Sequence, residues 1–128
     1  EPFLEILDEY INEIDKGVVH CFTGTKKQLF DYLDRGLWIG LTGWICDHRR
    51  NKALRSSIKH IPLDRLMIET DCPYLIPKNL ENKIMGNTNL SGYLPHILKD
   101  IANLIGEDEE NLSLQIFENS LKFFNQKI

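Results

Sequence analysis

Three short apolar runs, at residues 18–22, 37–42 and 66–70, alternate with segments of helical periodicity. No other feature narrows the fold as much. Strands separated by helices pair in parallel, and the helices then pack outside the sheet. Phe3, Leu7, Tyr10, Ile11 and Ile14 recur at helical spacing and predict a helix over 2–15, stopped by Gly17. Thr25-Lys26-Lys27-Gln28 has the form of a capping box, and Leu29, Phe30 and Leu33 carry that helix to Gly36. Gly43 closes the second strand, a helix is expected over 51–59 ahead of Pro62, and the third strand ends at Asp71-Cys72-Pro73. Residues 75–92, rich in Asn, Pro and Gly, predict a long loop, and loops of that length in compact domains are usually functional or disordered. Leu94, Ile97, Leu98, Ile101 and Leu104 predict a helix stopped at Gly106. Leu112, Ile116, Phe117, Leu121 and Phe124 predict a last one, and the acidic residues of 107–110 suit the dipole at its start.

Three parallel strands leave two open edges and a poorly covered face. A complete (β/α)8 barrel takes about 250 residues. The 128 residues here therefore predict about the second half of a TIM-like barrel, held in one domain. The alternative is a small, complete three-layer α/β domain. From a net charge of −4 a strongly basic face that grips nucleic acid by bulk charge alone is not expected, while a local basic patch or a phosphate-binding metal stays open. Cys21, Cys46 and Cys72 are odd in number and form no C-x-x-C pair, which argues against a disulfide framework and for a reducing, cytoplasmic compartment. No run approaches a membrane span or a signal-peptide core. The chain opens Glu1-Pro2-Phe3 inside a helical pattern without an initiator methionine, so a fragment or processed product is expected.

Each strand ends in polar or small residues: His20, Thr42-Gly43 and Asp71. In parallel α/β folds that edge is where loops converge on a site. His20 reads either as a satisfied core histidine or as a ligand, and Asp71 either as a turn residue or as its partner. An imidazole and a carboxylate at matching strand ends are typical donors for a hydrolytic divalent metal. Glu69 is expected to point away from Asp71 by strand alternation and to support the site or pair with a helix. His48-Arg49-Arg50, with Lys52 and Arg55, forms the basic cluster; Arg49 reads as a phosphate contact or as part of a solvated helix start. Trp44, Phe22 and Tyr74 follow strand ends and either stack on an unpaired base or wall the barrel top. His60 is expected at the surface, His96 within the packed face of its helix, and Cys21 and Cys72 as small buried packers.

The stretches GVVHCFTGT, GLTGWICDHRR, LMIETDCPYLIP and YLPHIL, in this order and spacing, resemble the C-terminal half of the TatD family of metal-dependent deoxyribonucleases. The likeness runs from about Pro2 to Phe124. It implies a TIM-like barrel of the metal-dependent hydrolase type with a one- or two-metal centre, Mg²⁺ above all, with Mn²⁺ or Zn²⁺ as alternatives. By the same resemblance His20 matches a metal ligand at the end of the sixth strand. Asp71 matches the eighth-strand aspartate that contacts metal and takes a proton from the attacking water. The family's remaining ligands, a His-x-His pair, a glutamate and a fifth-strand histidine, have no match in this chain. The 128 residues alone are therefore expected to bind metal poorly and to lack nuclease activity.

Where the family carries Arg-Asn-Glu-Pro ahead of Tyr-Leu-Pro-His, this chain reads Thr88-Asn89-Leu90-Ser91. Only the asparagine is kept. The implied function is hydrolysis of DNA phosphodiesters, as a 3′-5′ exonuclease on single strands, by a monomer that needs no protein partner and no membrane. The rivals are another hydrolase on the same scaffold, such as an aminoacyl-tRNA deacylase, and a non-catalytic α/β binding domain.

Overall fold

The computed structural model describes residues 2–127, and its strands form one parallel sheet in the order β1 (Val18–Val19), β2 (Trp38–Leu41), β3 (Leu66–Ile68). Around it run α1 (Pro2–Tyr10), α2 (Lys26–Leu33), α3 (Lys52–Ser57), α4 (Leu94–Ile105) and α5 (Glu109–Phe123), several of them continued or joined by 3-10 turns. The register pairs Val19 with Ile39, and Ile39, Gly40 and Leu41 with Leu66, Met67 and Ile68. All residues of β2 are buried. Alternation sends Ile39 and Leu41 to one face, where they join Leu29, Ile97 and Ile101 in the core. Gly40 is left on the other face.

The helix signals hold. Thr25 Oγ1 accepts the Gln28 N–H while the Gln28 side chain accepts the Thr25 N–H, the reciprocal box expected. Gly106 ends α4 in the left-handed region at φ 79°, where a side chain would be strained. Asp108 caps α5 through the Asn111 N–H. Inside α5 the buried Asn119 donates from Nδ2 to the carbonyls of Leu63 and Leu66, both at 2.7 Å, and so ties the last helix to the start of β3.

The first helix and all three strands are shorter than expected. The first helix gives way to a 3-10 turn at Ile11–Glu13, and of its apolar face Phe3, Tyr10 and Ile14 stand exposed. The first strand ends at Val19 rather than at residue 22, because Cys21 turns to φ 48°. Residues 75–92 form the expected long loop, ending at a 3-10 turn over Ser91–Tyr93. Among the described residues no helix is long and apolar enough to cross a membrane.

Candidate functional site

β1 and β3 are the outer strands, yet their tips are joined across the middle one. Cys21 sits in the left-handed region, a conformation that costs a non-glycine residue energy and needs its surroundings to hold it. Glu69 does so. Its Oε1 accepts the Cys21 N–H at 2.6 Å, and its Oε2 lies 2.8 Å from His20 Nδ1. Asp71 Oδ1 lies 2.9 Å from His20 Nε2. One imidazole thus bridges two carboxylates, one on each nitrogen. The Glu69 side chain crosses β2 to get there, and it crosses at Gly40. A Cβ at Gly40 would stand 2.6 Å from Glu69 Oε1, far inside contact distance.

The arrangement favours protonated His20. Its pKa is raised above the ordinary value of 6.5, first by the hydrogen bond to Glu69, with partial burial opposing and the charges of Glu69 and Asp71 adding. The His20 side chain is 61% exposed, so the ring stays in contact with solvent.

Glu69 corrects its expected placement. Residues two apart on an extended chain share a side, so Glu69 and Asp71 face the same ring rather than opposite ways. The sequence signal was present as the carboxylate spacing of Glu69-Thr70-Asp71. Two cysteines also differ from expectation. Cys72 is exposed, because it lies on the turn leaving β3, and Cys21 is only partly buried; Cys46 is the buried one. Cys21 Sγ lies 3.3 Å from Thr42 Oγ1, and burial pushes its thiol pKa up, which removes thiolate character.

A second group grows from the same strand tips. Trp44 rides on the 3-10 turn after β2, where Asn51 Nδ2 donates to the carbonyls of Trp44 and Ile45. Tyr74 follows Asp71 through a cis Cys72–Pro73 bond, and its N–H donates to the Asp71 carbonyl at 2.7 Å. The buried Asn89 fixes this segment: Nδ2 donates to the Tyr74 carbonyl at 2.6 Å and its own N–H to the Pro73 carbonyl at 2.9 Å. That is the work of the one asparagine kept in 88–91. Between the two turns lies a cavity of about 560 Å³ whose lining includes Trp44, Asp47, Arg50, Tyr74, Lys78 and Asn87.

The other residues divide plainly. Arg49 lies outside that cavity lining, 83% exposed, with Nε 3.8 Å from Asp47. Arg55 donates to the Ile45 carbonyl and to Asp100, and His48 Nε2 stands 3.5 Å from Asp100, so both tie to α4. Phe22 is buried edge-on to Tyr32 and walls the fold. His60 is exposed, as expected. His96 is half-buried and pairs through Nε2 with Asn79 Oδ1 at 2.7 Å; it flanks the apolar stripe of α4 and pins the long loop, instead of packing in the core. Lys78 and Asn87 were missed because the loop that holds them has no periodicity to read.

Among the described residues no three His, Cys, Asp or Glu side chains are grouped to hold a metal ion. His20 and Asp71 nevertheless bring an imidazole nitrogen and a carboxylate oxygen together, the donor types suited to hydrolytic divalent ions. Glu69 on Nδ1 is the outer partner that metal-bound imidazoles commonly have. The donors fit in kind and number two, short of the three or four that hold a catalytic ion.

Comparison with known proteins bears on the whole chain. The family model described as TatD related DNase matches residues 1–125. A 3′-5′ ssDNA/RNA exonuclease TatD from Citrobacter rodentium is 46% identical over 95% of this chain and 46% of its own length. One from a Rahnella species is 47% identical over 97% and 47%. The chain thus spans a little under half the length of these relatives. A hydrolase TatD family protein from Entamoeba histolytica superimposes with a TM-score of 0.82 at 27% identity, over 93% of this chain and 45% of that one. The TatD homologue YjjV from Escherichia coli K12 gives 0.80 at 25%, over 97% and 47%. The fold is accordingly part of a TIM-like barrel, and the complete three-layer domain is set aside.

Proposed function

The chain belongs to the TatD related DNase family, and on that premise we propose that it is the C-terminal portion of a single barrel domain that hydrolyses phosphodiester bonds of single-stranded DNA from the 3′ end. The relatives' names extend this to single-stranded RNA. The observation that carries the reading is the imidazole of His20 held between Glu69 and Asp71 at the strand tips. His20 Nε2 and an Asp71 oxygen are the two donors this chain offers to a divalent cation, magnesium first. Glu69 is a positioning residue: it orients the ring through Nδ1 and fixes the Cys21 turn. A bound cation would lower the pKa of a water and neutralise charge building on phosphate oxygens. Asp71 accepts the proton of the attacking water. Tyr74 and Trp44 face an unpaired base, and Arg49 on the open rim meets phosphate. The protein works as a cytoplasmic monomer.

A chimaera tests this. These 128 residues replace the matching part of the Citrobacter rodentium relative, which supplies the remaining length. With Mg²⁺ it is expected to trim a 5′-labelled single strand, to stop in EDTA, and to lose at least 100-fold on Asp71→Asn or His20→Ala, losses of the size typical for metal and proton-transfer groups. The 128-residue chain alone is expected not to trim. Deacylation of charged tRNA without trimming would overturn the nuclease reading in favour of another hydrolase, and neither activity would favour a binding domain.

A further inference from the structure

The cavity between the Trp44 turn and the Tyr74 segment has a chemistry of its own. Its volume, about 560 Å³, falls within the roughly 300–1,000 Å³ of sites that enclose a small organic ligand. Two aromatic side chains line it from different loops, and Tyr74 is 75% exposed. Arg50 and Lys78 also line it, and neither makes an ion pair among the described residues. The one carboxylate there, Asp47, is engaged by the Arg49 N–H at 3.3 Å and the Arg49 Nε at 3.8 Å. Two cations without ion pairs among the described residues and two aromatic rings, Tyr74 open and Trp44 half-buried, in a protein of net charge −4 suit an anionic ligand with a flat face. The cavity is also built wholly within this chain, unlike a metal centre that has two donors here.

We infer that this cavity is a metal-independent seat for one nucleotide of a single-stranded polynucleotide, its base against Trp44 and Tyr74 and its phosphates at Arg50 and Lys78. The inference rests on the polynucleotide reading above and adds where the strand is gripped. The Tyr74 wall leaves the strand tip that holds Asp71 and the Trp44 wall leaves the middle strand beside it, so the seat flanks the proposed reaction centre. A base in a duplex has its faces covered by its neighbours; an unpaired one offers a face for stacking. Asn87 supplies a carboxamide that can meet a base edge.

The test is binding, read by fluorescence anisotropy of a short labelled oligothymidylate with the 128-residue chain in EDTA. Tyr74→Ala and Arg50→Glu are each expected to weaken binding about tenfold, the scale of one lost stack or phosphate contact. Tyr74→Phe, which keeps the ring, should retain it. Lys59→Glu, at an exposed residue of the 3-10 turn that continues α3, should change nothing, and the same strand annealed to its complement should bind more weakly. Absence of binding, equal binding of the duplex, or equal losses from Lys59→Glu and Arg50→Glu would each overturn the seat. Because no hydrolysis is read, the two readings fail separately. A chimaera that trims beside a chain indifferent to Tyr74→Ala overturns the seat alone. Site-dependent binding beside a chimaera that trims nothing overturns the nuclease alone.

Discussion

At the strand tips, side chains from three strands meet and satisfy one another. Glu69 holds the Cys21 turn and the His20 ring, Gly40 gives it room, and Asn89 and Asn51 secure the turns on either side. At the lateral flanks of the same sheet, apolar side chains stand open. Phe3, Ile6 and Tyr10 are exposed on α1, Leu114 and Phe117 on α5, and a trough of about 630 Å³ opens beside Ile68, Leu94 and Leu98. The flanks lie at the edges of a sheet, where a closed barrel would continue. Polar networks at the tips close through residues a few ångströms apart, whereas a sheet edge is covered only by another strand and its helix. The chemistry of the tips and the cover of the flanks are therefore separable properties, and each can be perturbed without the other.

The largest effect is expected at neither place but in the strand between them. Ile39 is fully buried in β2 and packs in the main core. Ile39→Ala removes buried methylenes and leaves a cavity, a change that costs about 2–5 kcal/mol. Urea unfolding followed by circular dichroism should show it as a lower midpoint at unchanged slope. A loss below about 1 kcal/mol would mean that β2 is not the core on which both regions depend.

That core was the most legible part of the chain. Apolar runs at strand length, a capping box at Thr25 and a stop glycine at Gly106 are local signals, and each names its own element. His20 and Asp71 were legible too, since strand ends are where parallel α/β folds put their sites. The join between them was not. It depends on a left-handed Cys21 and on the bare backbone of Gly40, neither of which leaves a periodic trace, and on the side to which Glu69 turns, which only the Glu69-Thr70-Asp71 spacing carried. The aromatic cavity was half legible. Trp44 and Tyr74 follow strands directly, but Lys78 and Asn87 reach it from a loop whose path is set by Asn89 and Tyr93 rather than by pattern.

A middle-sized effect probes the join. In the metal-free chain the His20 midpoint, followed by NMR, should lie above 6.5 because Glu69 and Asp71 both favour the charged ring. Glu69→Gln should lower it more than Asp71→Asn, since the Glu69 hydrogen bond is the largest cause. The stability that this contact contributes is complete below the unfolded value near 6.5 and fades as pH rises through the folded one. Glu69→Gln should flatten that part of the stability curve. The change stays small because the ring is mostly open to solvent. Gly40→Ala should act in the same direction by displacing the carboxylate. A midpoint indifferent to Glu69 would dissolve the join.

The smallest effect belongs to the flanks. Phe117 lies on α5 beside a shallow hollow lined by Ile68, Leu98 and Ile116, and about half its surface is in water. An aromatic already half solvated loses little on unfolding, so Phe117→Ser should shift stability by no more than about 0.5 kcal/mol, as surface changes usually do. The measurement is the same urea titration used for Ile39→Ala, which makes the two directly comparable. Phe117 and Ile39 are both large and apolar, and only their cover differs. If Phe117→Ser costs as much as Ile39→Ala, the α5 flank is covered in solution and the contrast between closed tips and open flanks fails. If it costs nothing, the apolar surface there is free to receive a neighbouring strand and helix without competing with the core.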